Sequence, residues 1–126
     1  MEKKRDTIII VDDDATNLAI GRSALEDEYD VFTALSGDKL FRILEKVTPD
    51  MILLDIEMPG MSGYDVMGVL KESEKYAGIP VVFVSGHTDP ESRSEALNMG
   101  AVGYIVKPFS RDLLNDLILG QLKSAD

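Results

Sequence analysis

Residues 7–16 read TIIIVDDDAT: four apolar residues, all β-branched, run straight into three consecutive aspartates. β-branched side chains fit a pleated strand. A stretch that is apolar at every position, not every second one, suits a strand covered on both faces, as in a parallel sheet. Asp12, Asp13 and Asp14 then stand at the strand's carboxyl end, and the residues from Ala15 onward open a helix-like segment. The unit is strand, acidic turn, helix, and it raises the question of what makes three like charges tolerable there.

Outward from this unit the same alternation repeats. Further strands are expected at DVFTA (30–34), DMILLD (50–55), IPVVFV (79–84) and AVGYIV (101–106). Helices are expected at 15–28, 37–47, 62–73, 90–100 and 111–123, with Ser36 and Ser110 as N-caps of the second and fifth. The pairs Leu40/Leu44, Val66/Leu70 and Leu113/Leu117 recur at helical spacing and read as core. Five consecutive βα units without a linker predict one three-layer, doubly wound α/β domain over residues 1–126.

Composition is compatible with that and narrows the function. A chain of 126 residues, 44% hydrophobic and 29% charged, can bury one sizeable core. Its formal net charge of −10 argues against binding a phosphate backbone, and therefore against direct nucleic-acid contact. Cations and basic protein surfaces are the expected partners. Without cysteine there is no disulfide, thiolate metal site or thiol chemistry, and a single histidine, His87, excludes multi-histidine zinc sites. No apolar run is long enough to span a bilayer and the charged start MEKKRD is no signal peptide, so a cytoplasmic, membrane-free protein is expected.

In doubly wound sheets ligands bind beyond the carboxyl ends of the strands. The residues at those ends are Asp12, Asp13 and Asp14, then Asp55, Ser85 and Lys107. If the first and third strands are neighbours, Asp12, Asp13 and Asp55 converge, and their repulsion raises a pKa or demands a counter-ion. Mg²⁺ answers that demand, because it takes one or two carboxylates and leaves positions for water and phosphate oxygens. Asp14 reads as a helix cap. The run EMPGMSG reads as a loop bringing backbone close to the site, and Gly86 leaves its mouth open.

Taken together, Asp12-Asp13 after IIIV, Asp55 in LLDIEMPGMSG, Ser85 in VVFVSG, Tyr104 in GAVGYIV and Lys107 in VKPF make the chain resemble a response regulator receiver domain of two-component signalling, over nearly its whole length. The resemblance implies a flavodoxin-like (βα)5 fold with a parallel five-stranded sheet of order 2-1-3-4-5. It implies Mg²⁺-dependent transfer, with Mn²⁺ as an alternative ion, of a phosphoryl group to Asp55 from a sensor histidine kinase or phosphotransfer protein. Asp12, Asp13, Asp55 and the Glu57 carbonyl would serve the metal, and Lys107 and Ser85 would receive phosphoryl oxygens. It further implies a cis Lys107-Pro108 bond, a switch through Ser85 and Tyr104, and tuning of phosphoryl lifetime by Glu57 and His87. Output would run through an effector or partner protein, with dimerisation on phosphorylation as an accompanying expectation.

A second class also fits part of the chain. DDDAT satisfies the D-x-D-x-T pattern of haloacid dehalogenase-type phosphatases, with Asp12 as nucleophile, Asp14 as acid/base, and Ser85 and Lys107 as phosphate ligands. That reading lacks a late acidic motif for its metal, leaves Asp55 and its loop unexplained, and has no room for a substrate cap.

Overall fold

The computed structural model describes residues 5–107 and 111–124. Ten elements alternate along the chain: β1 (Thr7–Val11), α1 (Ala15–Leu25), β2 (Asp30–Ala34), α2 (Gly37–Leu44), β3 (Met51–Asp55), α3 (Gly63–Glu72), β4 (Val81–Ser85), α4 (Pro90–Asn98), β5 (Gly103–Val106) and α5 (Arg111–Ser124). The strands form one parallel sheet in the order β2-β1-β3-β4-β5. The strand order therefore reverses between β1 and β3, where doubly wound sheets build their ligand crevice.

Strand periodicity splits the apolar residues into two cores. Ile9, Val11, Ile52, Leu54 and Phe83 meet Leu40, Val66, Met67 and Ala96 from α2, α3 and α4. On the other face Ile8, Ile10, Leu53, Val84 and Ile105 meet Leu18 and Leu25 of α1 and Leu114 and Ile118 of α5. β3 and β4 are buried at every position, which is why their sequence shows no alternation.

Local chemistry sets the boundaries. Asp14 accepts from the Thr16 N–H at 2.8 Å and caps α1; Ser36 likewise caps α2, as expected. Ser62 and Asp65 form a reciprocal capping box at the start of α3. Several expected elements are trimmed, among them α2, which ends at Leu44 instead of 47. α1 stops at Leu25 instead of 28, because the chain turns back and Tyr29 donates to the Leu25 carbonyl. β4 starts after Pro80, which has no N–H to give the ladder, and extends one residue further to include Ser85. α4 ends at Asn98, with Gly100 beyond it at φ 101°, in the left-handed region that favours glycine. The Lys107-Pro108 bond and the Ser110 cap lie outside the described residues.

Candidate functional site

The carboxyl ends of β1, β3, β4 and β5 bring the expected residues together. Asp55 ends β3 with only 3% of its surface exposed, Asp12 follows β1 at 4%, and Ser85 ends β4 fully buried. Carboxylate oxygens of Asp12, Asp13 and Asp55 all lie within 4.8 Å of one another, with Asp13 on the exposed side. Lys107, just past β5, reaches back across the sheet. Its Nζ lies 2.9 Å from Asp55 Oδ1 and 3.0 Å from Asp12 Oδ2. The Lys107 N–H donates to the Ser85 carbonyl at 2.7 Å, which ties the lysine's backbone to the end of β4.

The electrostatics follow from this crowding. Burial, above all, raises the Asp55 carboxyl from 3.8 to about 6; Asp12 and Asp13 push the same way, while the hydrogen bond and charge of Lys107 oppose them. Burial pulls the Lys107 ammonium down, but its contacts with Asp55 and then Asp12 outweigh that and leave it raised, hence charged. One lysine does not neutralise three carboxylates. An oxygen-only donor set with an excess of negative charge suits a hard divalent cation, so the residues present fit Mg²⁺.

A second constellation borders the first. Ser85 Oγ accepts from the His87 N–H at 3.1 Å, and the Tyr104 hydroxyl donates to the His87 carbonyl at 2.9 Å. His87 Nε2 lies 3.1 Å from Glu57 Oε1, so the imidazole joins the loop after β4 to the loop after β3. Tyr104 is buried, 6% exposed, with no phosphoryl group present. The sequence marks Glu57 and His87 singly but not their pairing, nor the role of the His87 peptide as the link between Ser85 and Tyr104. The signal available is the serine-to-i+2 spacing of a local side-chain turn.

The loop after β3 approaches the site closely because of one glycine. Gly63 donates its N–H to the Ile56 carbonyl at 2.8 Å, and a Cβ there would collide with the Asp55 carbonyl oxygen and lie 2.7 Å from Ile56 Cα. Gly60 adopts φ 76° within the same loop. By contrast, a Cβ at Gly86 would meet nothing within 4 Å, as expected for an open mouth. Asp14 stays with its cap: its carboxylate holds the Thr16 N–H, and its own N–H donates to Asp12 Oδ1 at 2.9 Å. The acid/base role required of Asp14 by the phosphatase reading is therefore not supported.

Comparison with known proteins agrees with this geometry. The family model described as "Response regulator receiver domain" matches residues 8–119. A probable cyclic di-GMP phosphodiesterase of Vibrio cholerae serotype O1 is 38% identical over 118 residues, covering 94% of this chain and 27% of that protein. The DNA-binding response regulator MtrA of Mycobacterium tuberculosis is 32% identical over 127 residues, covering all of this chain and 54% of the relative. The chain thus spans about half, or less, of the length of these curated relatives. Among solved structures, chemotaxis protein CheY4 of Vibrio cholerae superposes with a TM-score of 0.82 at 27% identity, over 96% of this chain and 98% of that one.

Proposed function

The chain belongs to the response regulator receiver domain family, and from that premise we propose that it is a phosphorylation-driven signalling switch whose acceptor is Asp55. The observation that carries the proposal is the convergence of a buried strand-end carboxylate, a lysine 2.9 Å away and two more carboxylates within 4.8 Å. An Asp55 oxygen attacks phosphorus, the P–N bond of a donor phosphohistidine breaks, and the imidazole leaves with its electron pair as an acyl phosphate forms.

Asp13, Asp55 and the Glu57 carbonyl would hold Mg²⁺, or Mn²⁺ in its place, with Asp12 orienting its water; the ion would supply charge neutralisation for the phosphoryl oxygens. Lys107 already stands at the acceptor oxygen; when that oxygen becomes esterified, its ammonium turns from the carboxylate to a phosphoryl oxygen. The Ser85 hydroxyl, freed to donate, takes another. That exchange loosens its bond from the His87 N–H, and with it the loop whose carbonyl Tyr104 holds. A hydrogen bond to a charged group is worth roughly 1.5–3 kcal/mol, enough to shift a two-state population about tenfold to a hundredfold. The surface of α4, β5 and α5 then reads out the change to an effector domain or a separate protein.

Supply of the phosphoryl group by a sensor histidine kinase or phosphotransfer protein, a cytoplasmic setting, a single domain over 1–126, dimerisation on phosphorylation and the absence of direct nucleic-acid contact complete the proposal. No helix among the described residues is long and apolar enough to cross a membrane. The test is to incubate the chain with a small phosphodonor, with Mg²⁺ or with chelator, and record intact mass. One added phosphoryl group with Mg²⁺ and none with chelator is expected. Equal labelling in both, or none in either, overturns the proposal.

A further inference from the structure

The sheet has an open edge at β2. β2 pairs only with β1 among the described strands. Asp30 donates its N–H to the Asp6 carbonyl and Ala34 accepts from the Asp12 N–H, so Asp30, Phe32 and Ala34 turn their backbone groups toward β1. The N–H and C=O groups of Val31 and Thr33 therefore point away from the sheet.

Each face of this edge carries a groove. On the α1 side a groove of 380 Å³ is lined by Leu18, Ala19, Thr33 and Leu35, with Arg22 and Lys39 at its margin. On the α2 side one of 430 Å³ is lined by Phe32, Ile43 and Val47, with Arg42 and Lys46. Phe32 and Leu35 remain 38% and 39% exposed. The cores agree with these faces, since Ala34 belongs to the core that holds Leu40 and Leu44 of α2, and Val31 packs against the core that holds Leu18 and Leu25 of α1.

Charge separates this edge from the rest of the molecule. The chain has a net charge of −10 and 13 basic residues, yet four of these 13 border the two grooves. Arg22, Lys39, Arg42 and Lys46 form no ion pair with any described residue. Opposing charges include Glu45, beside the α2-side groove, Asp30 at the start of the strand and Asp38 in the first turn of α2. A second copy of the chain would bring its own four cations against Arg22, Lys39, Arg42 and Lys46, edge to edge, so self-pairing is disfavoured.

We propose that the β2 edge binds an extended, acidic segment of a partner protein by strand addition. The backbone groups of Val31 and Thr33 would supply the ladder. Alternate side chains would enter the two grooves, apolar ones against Phe32 and Leu35, carboxylates against the four cations.

The probe is a capped octapeptide with two copies of Glu-Asp-Val-Val, which offers an acid and an apolar residue to each face. It is titrated into the ¹⁵N-labelled chain at about 0.15 M salt, where long-range repulsion is screened. The expected result is amide shifts confined to β2 and the facing turns of α1 and α2, with slowed exchange at Val31 and Thr33. The charge-reversed variant Arg22→Glu/Arg42→Glu should weaken binding at least tenfold, as should the matching Lys-Lys-Val-Val peptide. If the double Glu variant fails to fold, Arg22→Gln/Arg42→Gln takes its place, with the same loss of affinity expected. No shift at millimolar peptide, equal binding of both peptides, or concentration-dependent broadening of the same amides in the free protein overturns the proposal. In the first case the cations only guard an exposed edge against pairing.

Discussion

At the scale of residues, Asp55, the proposed nucleophile, is held at a cost. Its carboxyl sits at about 6 in the folded chain against 3.8 ordinarily, so the native state holds this proton more tightly than the unfolded one. The stability linked to Asp55 is therefore fully present below about pH 4 and is lost as pH rises through 6, by roughly 3 kcal/mol in all. Asp55→Asn has nothing to ionise. In chelator at pH 7.5 this variant should be more stable than the parent by about 1–3 kcal/mol, with the gap closing toward pH 4.5 and phosphoryl acceptance lost throughout. Denaturant melts across that range check it. Glu57 and His87 form the other residue-scale unit, since a 3.1 Å contact joins them over the mouth of the site. Glu57→Ala and His87→Ala should each change the rate of phosphoryl loss severalfold without preventing acceptance. Contact makes the double variant non-additive, which timed decay after donor removal in all four proteins will show.

At the scale of elements, the site depends on how closely α3 begins to the end of β3. Gly63→Ala drives a Cβ into the Asp55 and Ile56 backbone, which cannot yield as a flexible side chain would. We expect a loss of about 1–3 kcal/mol together with slowed phosphoryl transfer, whereas Gly68→Ala, inside α3 with open space at its Cβ, should stabilise the chain by about 0.5–1 kcal/mol and leave transfer unchanged. Thermal melts and single-turnover labelling of the two variants separate them. Ser85→Ala belongs here too, because it removes the acceptor of the His87 N–H: still phosphorylated at Asp55, it should lack the amide shifts across α4, β5 and α5 shown by the parent. The same elements show what the chain reveals unaided. IIIV, MILL and VVFV announce buried parallel strands, and the aspartates, serine and lysine at their ends announce the site. What stays hidden is tertiary: that His87 would span two loops to Glu57, that Gly63 would lie against Asp55, and that α1 would stop at Leu25 as the chain folds back. None of these contacts has a periodicity, and only the packed sheet brings their members together.

At the scale of the whole molecule, the fold separates two charge environments: three carboxylates at the carboxyl end of the sheet, and four cations along the β2 edge that have no ion-pair partner among the described residues. The first predicts that divalent ions stabilise the chain by mass action, by about 2.7 kcal/mol at a hundredfold excess over Kd. Asp13→Asn, which removes the exposed member of the cluster, should lose most of that gain in Mg²⁺-titrated melts while keeping its metal-free stability. The proposed function commits the chemistry to Asp55 among three nearby carboxylates. The most direct measurement is peptide mapping of the labelled chain after exposure to a small phosphodonor with Mg²⁺. The phosphoryl group is expected on the peptide containing Asp55 and nowhere else, and absent from the Asp55→Asn protein. A label on Asp12, or undiminished labelling of Asp55→Asn, would contradict the account.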